Sequence, residues 1–137
     1  MNGYFDIALN LASDRFLGDR EKVITNAISH NVNFFNIVCS SIDELDFVKD
    51  LNNRFRENSC FTLGVHPHNA NELNDKTLQS LKDSINMHHP SSVGETGLDF
   101  YRNLSSLENQ LNAFEQQIKI SIENNLPLFL HQREAHD

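Results

Sequence analysis

Short apolar runs alternate with segments of helical periodicity along the chain. The apolar runs are rich in β-branched and aromatic residues and predict strands at 4–11, 34–39, 60–65, 91–95 and 126–130. The segments between them repeat apolar residues three or four positions apart, which predicts helices at 16–29, 42–55, 75–87 and 105–124. Strands that alternate with helices at intervals of roughly thirty residues favour a parallel sheet with right-handed crossovers.

The helix ends carry capping signals. Asp14 is available as a cap for the first helix, and Ser105 and Glu108 have the spacing of a capping box at the start of the fourth. The fourth helix also carries an apolar stripe, which is typical of a helix face that packs on a core. The stripe consists of Leu107, Leu111, Phe114, Ile118 and Ile122.

Two α/β architectures accommodate this pattern. A doubly wound sheet usually has a glycine-rich turn after its first strand, and the stretch NLASDRF at residues 10–16 contains no glycine. A (β/α)8 barrel typically takes about 250 residues. A chain of 137 residues would hold only its first five strands.

The acidic composition limits how the protein can bind nucleic acid. The formal net charge is −8, which argues against a broad phosphate-binding surface, so a metal or a small basic cluster would have to make the contact. The two cysteines, Cys39 and Cys60, lie in strand-like surroundings and predict buried, reduced thiols in a cytoplasmic protein. No apolar run approaches the ~20 residues that span a bilayer, and we therefore expect no membrane association.

Candidate chemistry gathers where three predicted strands end. His66 and His68 follow the third strand in GVHPH, Glu95 ends the fourth in VGETGLDF, and His131 follows the fifth in LFLHQREAHD. Neighbouring parallel strands lie about 4.8 Å apart, so Glu95 and His131 can reach a common ion. Mixed oxygen and imidazole ligation suits magnesium, manganese or zinc, and the residues alone do not separate them.

Each candidate also has a structural interpretation. A single histidine at a strand end is more often a hydrogen-bonded structural residue than a metal ligand. Arg102 and Arg133 are suited to phosphate, but surface arginines are common as solvated charges.

Four motifs together resemble the TatD-related deoxyribonucleases, a branch of the metal-dependent hydrolases with (β/α)8 barrels. The motifs are FDIALNLASDRF, GVHPHNA, VGETGLDFYRN and PLFLHQREAHD, in the family's order and spacing. The resemblance implies parallel (β/α) units of a TIM-type barrel, with about five strands and four helices. Residues 1–137 would form a single N-terminal part of that barrel, and its C-terminal units are absent from this sequence.

The resemblance also implies an activity. Members of this family use one or two divalent cations, here expected to be magnesium or manganese rather than zinc, to hydrolyse phosphodiesters, commonly at DNA 3′ ends. Glu95 corresponds to the metal-bridging carboxylate, His131 to a metal ligand and His66 to the histidine that contacts the phosphate or assists the chemistry. We assign substrate binding to three further residues in these motifs. They are His68, Arg102 and Arg133.

The chain departs from the family pattern in two places. Many relatives carry a metal-binding H-x-H pair on strand one, where this sequence has Ala8 and Asn10. The family places a further histidine after strand six and an aspartate after strand eight, and the sequence has no residues there.

These departures keep two alternatives open. The chain could be a catalytically silent half-barrel with a structural or interaction role, or a metal-dependent hydrolase of another ester or amide. Five strands cannot close the usual barrel, so the open sheet would expose two edges and an apolar inner face. We therefore expect self-association or a missing C-terminal half.

Overall fold

The computed structural model describes residues 3–136 and contains one parallel sheet with the strand order β1-β2-β3-β4-β5. The strands are β1 (Tyr4–Leu9), β2 (Val32–Ile37), β3 (Ser59–Leu63), β4 (Ser92–Asp99) and β5 (Leu128–Arg133). The helices are α1 (Arg20–Ser29), α2 (Leu45–Arg54), α3 (Asp75–His88) and α4 (Leu107–Asn124). Because a doubly wound sheet reverses its strand order and this sheet does not, the sequential order identifies successive units of a barrel.

Short 3-10 turns join strands to helices in the first three units. They span Asp14–Phe16, Ile42–Glu44 and Pro67–Glu72. The prediction that Asp14 caps the first helix is wrong, because Asp14 begins a 3-10 turn and α1 starts six residues later. The predicted box of Ser105 and Glu108 is also wrong, since the hydroxyl of Ser106 accepts the cap bond from the Asn109 backbone N–H.

The fourth and fifth strands extend further than the sequence pattern predicted. β4 continues to Asp99 instead of ending at Glu95, and β5 continues to Arg133 instead of ending at Leu130. The two strands stay paired through the glycines, with Gly97 in register with His131. Glu95 and His131 therefore lie within strands.

The first three helices bury the faces that their periodicity predicted. Helix α1 packs on β2 and α2 packs on β3. The fully buried helix residues are Ile24, Val48, Leu51, Leu81 and Ile85. They meet strand residues that include Phe35, Ile37 and Leu63 in one hydrophobic cluster. This cluster holds the sheet whose carboxyl edge carries the candidate site.

Helix α4 buries a different face from the predicted one. Three residues of the predicted stripe, Leu107, Leu111 and Ile122, are 54%, 48% and 74% exposed. The buried residues are Gln110, Ala113, Gln117, Ile120 and Ser121. The periodicity predicted a helix with an apolar stripe correctly, but the prediction that this stripe packs on the core is wrong.

Two buried glutamines explain the orientation of α4. Gln117 accepts a hydrogen bond from the Val65 N–H at 2.8 Å and donates to the Val65 carbonyl at 3.0 Å. Gln110 makes the equivalent pair of bonds with Asp99, at 2.8 and 3.2 Å. These bonds satisfy backbone groups at the ends of β3 and β4, which would otherwise be buried without partners. The helix therefore turns amides, not leucines, toward the sheet.

A glycine makes this close approach possible. A Cβ on Gly64 would lie 2.5 Å from the Gly94 Cα and 2.7 Å from the Gln117 Oε1. Real Cβ atoms do not come that close to other heavy atoms, so a side chain at this position would displace β4 or the glutamine.

Two further observations concern the cysteines and the helices. Cys39 is buried, Cys60 is partly buried, and both thiols are free. None of the helices among residues 3–136 is both long enough and apolar enough to cross a lipid bilayer.

Replacing Gln117 with methionine should destabilise the fold. The substitution keeps the side-chain volume but leaves the buried N–H and carbonyl of Val65 unpaired, so we expect a loss of about 2–4 kcal/mol in the free energy of unfolding. Urea denaturation measures it, and Gln116→Met on the same helix is the matched control, expected to change stability by less than ~0.5 kcal/mol. Equal effects of the two substitutions would contradict the anchoring role of Gln117.

Candidate active site

The candidate site is built on the facing ends of β4 and β5. Successive residues of a strand point to opposite faces, so Glu95, Gly97 and Asp99 share one face of β4. A Cβ on Gly97 would lie 2.0 Å from the His131 carbonyl oxygen, so only glycine lets β5 approach here. The strand register shifts between Gly94 and Thr96, a bulge that directs the Glu95 side chain.

Asp99 is the hub of the site. Its carboxylate is 1% exposed, and its Oδ1 accepts backbone N–H bonds from Tyr101 at 3.1 Å and Arg102 at 2.8 Å. Its Oδ2 lies 2.6 Å from the Nε2 of His68 and 3.3 Å from the Nε2 of His131. Burial by itself would raise the pKa of Asp99, but these hydrogen bonds outweigh it and hold the pKa below its usual range. The carboxylate is therefore ionised at neutral pH.

An ionised Asp99 favours one tautomer of His131. Because Asp99 can only accept, a neutral His131 that donates to it carries its proton on Nε2 and keeps a lone pair on Nδ1. That Nδ1 lies 3.0 Å from the Oε1 of Glu95. Neighbouring ligand atoms around an octahedral ion with bonds of about 2.1 Å are about 3 Å apart. The pair therefore fits a divalent cation.

His66 has a different role in the same site. It precedes the 3-10 turn, and its Nδ1 accepts a hydrogen bond from the His68 backbone N–H at 3.1 Å. Burial, together with the neighbouring His68 and His131, lowers the pKa of His66 to about 3. A neutral ring that accepts at Nδ1 must carry its proton on Nε2, so His66 is a donor.

The donor atom of His66 points at the other two groups. Its Nε2 lies 3.2 Å from the His131 Nδ1 and 3.7 Å from the Glu95 Oε1. A second grouping, of His66, His68 and His131, also brings nitrogens within 4.8 Å of one another. In that grouping the Nε2 of His68 is already bound to Asp99, and His66 has no free lone pair. Glu95 and His131 are thus the better ligand pair.

An open cavity of about 320 Å³ adjoins these groups. Its lining residues come from the ends of the first four strands and the segments that follow them. They are Asn10, Ser13, Ser40, Glu44, His66, His68, Asn69 and Glu95. Burial raises the pKa of Glu44, which accepts a hydrogen bond from the Ser40 N–H at 2.7 Å. Asn10 brings a neutral amide to the cavity.

The remaining predicted residues lie at the rim. Arg133 is exposed and stacks on Tyr101, with 4.0 Å from its Cζ to the ring centroid. Arg102 contributes its backbone N–H to Asp99, and its side chain is exposed. Asp99 was not among the site residues that the sequence predicted, although its position four residues after Glu95 in an extended segment was a signal for a shared strand face.

Comparisons with known proteins place this arrangement in a family. The family model described as "TatD related DNase" matches residues 5–137. A protein of Pantoea ananatis named 3'-5' ssDNA/RNA exonuclease TatD is 38% identical over 97% of this chain and 51% of its own length. A protein of Pectobacterium atrosepticum with the same name is 39% identical over 96% of this chain and 51% of its own length. The chain thus spans about half the length of the curated relatives it matches.

Solved structures agree with the fold. A crystal structure of an uncharacterised amidohydrolase from Saccharomyces cerevisiae is 30% identical and superposes with a TM-score of 0.86, over 97% of this chain and 49% of that chain. A TatD homologue from Escherichia coli K12, 24% identical, superposes with a TM-score of 0.88 over 98% of this chain and 52% of that chain.

Replacing Asp99 with asparagine should destabilise the metal-free protein. The neutral amide loses charge-assisted bonds to the two histidines and two backbone N–H groups, so we expect a loss of about 2–3 kcal/mol at pH 7. Because the pKa of Asp99 is lowered on folding, its contribution is full above the ordinary aspartate pKa, near ~4, and declines as the pH falls below that value. Urea denaturation at pH 7 and at a pH below ~4 measures this change.

The matched control for that experiment is Asp83→Asn, at an exposed position on α3. We expect it to leave stability unchanged at both pH values. A difference between wild type and Asp99→Asn that stays constant with pH would contradict the ionised state assigned to Asp99.

Proposed function

We propose that this chain, which belongs to the TatD related DNase family, supplies the Glu95–His131 metal site of a nuclease that trims single-stranded nucleic acid from its 3′ ends. The observation that carries the proposal is the 3.0 Å contact between the Glu95 Oε1 and the His131 Nδ1, a spacing that suits two ligands of one cation. Since the chain spans about half of its relatives' length, the activity is proposed for the protein that contains it.

The donor set favours a hard cation. Glu95 lines the cavity, where side chains such as Asn10, Ser13 and Glu44 bring oxygens beside the imidazoles of His66 and His68. Such oxygen-rich surroundings suit magnesium or manganese better than zinc. When bound, the cation supplies Lewis-acid polarisation of a phosphoryl oxygen and neutralises developing negative charge.

The protein groups around that ion have separate tasks. Asp99 holds His131 in the tautomer that presents Nδ1, through the contact to Nε2. His66, neutral because of its lowered pKa, donates from Nε2 to a phosphate oxygen and so orients the scissile group. His68, bound to Asp99 at 2.6 Å, keeps the carboxylate and the histidine turn together. His66 therefore acts as a hydrogen-bond donor and not as a proton source at neutral pH.

The substrate of the proposed activity is a nucleic acid whose phosphate backbone binds at the site. The curated relatives are named as exonucleases of single-stranded DNA and RNA. With a net charge of −8, this chain would bind a phosphate backbone through a bound cation and the local cations Arg102 and Arg133, not through a broad basic surface. We infer DNA 3′ ends as the substrate. Location in the cytoplasm stays a prediction, supported by the two free cysteines.

A hydrolase of another ester or amide is the second candidate. The observation that favours it is the likeness to the yeast protein described as an amidohydrolase, because the same metal-binding framework can serve several hydrolytic reactions. Activity against an amide substrate, with no activity toward oligonucleotides, would distinguish this candidate.

Exposed apolar side chains mark both ends of the half-barrel. On β1, Tyr4, Phe5 and Ile7 are 73%, 52% and 60% exposed, and Leu130 on β5 is 58% exposed. Together with the exposed stripe of α4, they leave apolar surface at both edge strands, which solvent does not favour. We infer that further strand–helix units or a second copy of the chain cover these faces. This is also the surface on which a purely structural role would depend.

Replacing Glu95 with glutamine should abolish trimming of single-stranded DNA. The amide keeps the side-chain volume but loses the anionic oxygen, so Mn²⁺ binding, followed by electron paramagnetic resonance, and cleavage should both fall about 100-fold or more. Glu115→Gln, at an exposed position on α4, is the control and should retain both properties. Full Mg²⁺- or Mn²⁺-dependent activity in Glu95→Gln would refute the metal site.

The 137-residue chain expressed by itself should self-associate, because its edge strands and α4 stripe are apolar. Sedimentation velocity across a dilution series measures the association, and Leu111→Lys should weaken it about tenfold, whereas Asn112→Lys, at an exposed polar position on the same helix, should not. A monomer at every concentration would show that a second copy does not cover these faces.

A further inference from the structure

An exposed aromatic ring and an arginine form a stacked pair beside the candidate active site. The guanidinium of Arg133 lies over the ring of Tyr101, with 4.0 Å from Cζ to the ring centroid. Tyr101 is nevertheless 56% exposed, and Arg133 is also exposed. The neighbouring Phe100 is half-buried, so the turn directs one aromatic side chain inward and the other outward. A large planar surface therefore stays open to solvent at the rim.

The backbone holds this pair firmly relative to the site. The Tyr101 N–H donates to Asp99 Oδ1 at 3.1 Å, and the Phe100 N–H donates to the Arg133 carbonyl at 2.9 Å. Asp99 and Arg133 are also in register across β4 and β5. The other oxygen of the same carboxylate contacts His68 and His131. One buried side chain thus connects the stacked pair to the candidate ligand His131.

The pair is also at a useful distance from the chemistry. Arg133 follows His131 by two positions on β5, so their side chains leave the same face of the strand about 7 Å apart. A group bound at Tyr101 and Arg133 would therefore be adjacent to a phosphate held at Glu95 and His66. This is the place of a nucleoside joined to the scissile phosphate.

We propose that Tyr101 and Arg133 form a stacking subsite for one unpaired nucleobase next to the scissile phosphate. The proposal rests on the proposed function and deepens it, because it names the residues that would hold a base of the substrate. Every base has a π-face, so stacking on a tyrosine ring or a guanidinium plane tolerates any sequence. A base inside a duplex is already stacked and paired, and would have to leave its helix first.

The positive charge of Arg133 also suits a nucleotide. The Arg133 guanidinium is held over the ring by the attraction between a cation and a π-face, and it keeps donors for a phosphate oxygen. The subsite therefore combines base stacking with local charge neutralisation.

The test uses the natural-length protein and a single-stranded DNA oligonucleotide with 2-aminopurine as its 3′-terminal base. Without metal, so that no cleavage occurs, we expect binding to quench the fluorescence of that base. Tyr101→Ala should weaken binding about tenfold and remove the quenching, whereas Tyr101→Phe, which keeps the ring, should behave as wild type. Circular dichroism confirms that the variants are folded.

Cleavage kinetics separate this subsite from the proposed nuclease activity. In Mg²⁺, Tyr101→Ala should raise KM about tenfold with little change in kcat, and an abasic 3′-terminal residue should have the same effect on wild type. Equal quenching in wild type and Tyr101→Ala, or no quenching in either, would overturn the subsite while cleavage persists. Absence of metal-dependent cleavage in wild type would instead refute the proposed function, and the quenching result would still decide whether Tyr101 binds a base.

Discussion

The buried carboxylate of Asp99 is the interaction on which the site depends. Two backbone N–H groups and two imidazoles surround it, so that a charge 1% exposed to solvent is stabilised by hydrogen bonds instead of water. Because it can only accept, it favours the His131 tautomer that is protonated on Nε2, which leaves a lone pair on the Nδ1 beside Glu95. Removing the negative charge of Asp99 would therefore change the hydrogen bonding of the two histidines, although Asp99 itself is not one of the proposed metal ligands.

Helix α4 connects this hub to the sheet. Gln110 bonds to both backbone groups of Asp99, and Gln117 does the same for Val65, the residue before His66. The two glutamines are seven residues apart, so they lie on one helix face and hold the ends of β3 and β4 at a common level. The cost is that the apolar residues of the helix remain on its exposed flank, where they need a further packing partner.

The histidines of the site follow from the same arrangement. Although His66, His68 and His131 are close together, their hydrogen bonds give them different roles. His68 is committed to Asp99, His66 is a neutral donor, and His131 places its Nδ1 3.0 Å from the Oε1 of Glu95. Proximity alone would have suggested a three-histidine metal site, and the accounting of donors and acceptors instead favours one imidazole and one carboxylate.

The alternation of apolar runs and helical periods determined the five parallel strands, the four helices and the gathering of His66, Glu95 and His131 at one edge, because parallel strands end together. This pattern did not predict that β4 and β5 continue to Asp99 and Arg133, because residues after a glycine continue a strand only if the neighbouring strand approaches closely. The buried face of α4 was also decided by tertiary structure. A buried glutamine is favoured over leucine only where unpaired backbone groups await it, and no periodicity in the sequence records where those groups will be. The ending LFLHQREAHD supplied the candidate ligand His131, and the packing of β5 against Gly97 and Asp99 placed the Nε2 of that residue next to the Asp99 carboxylate.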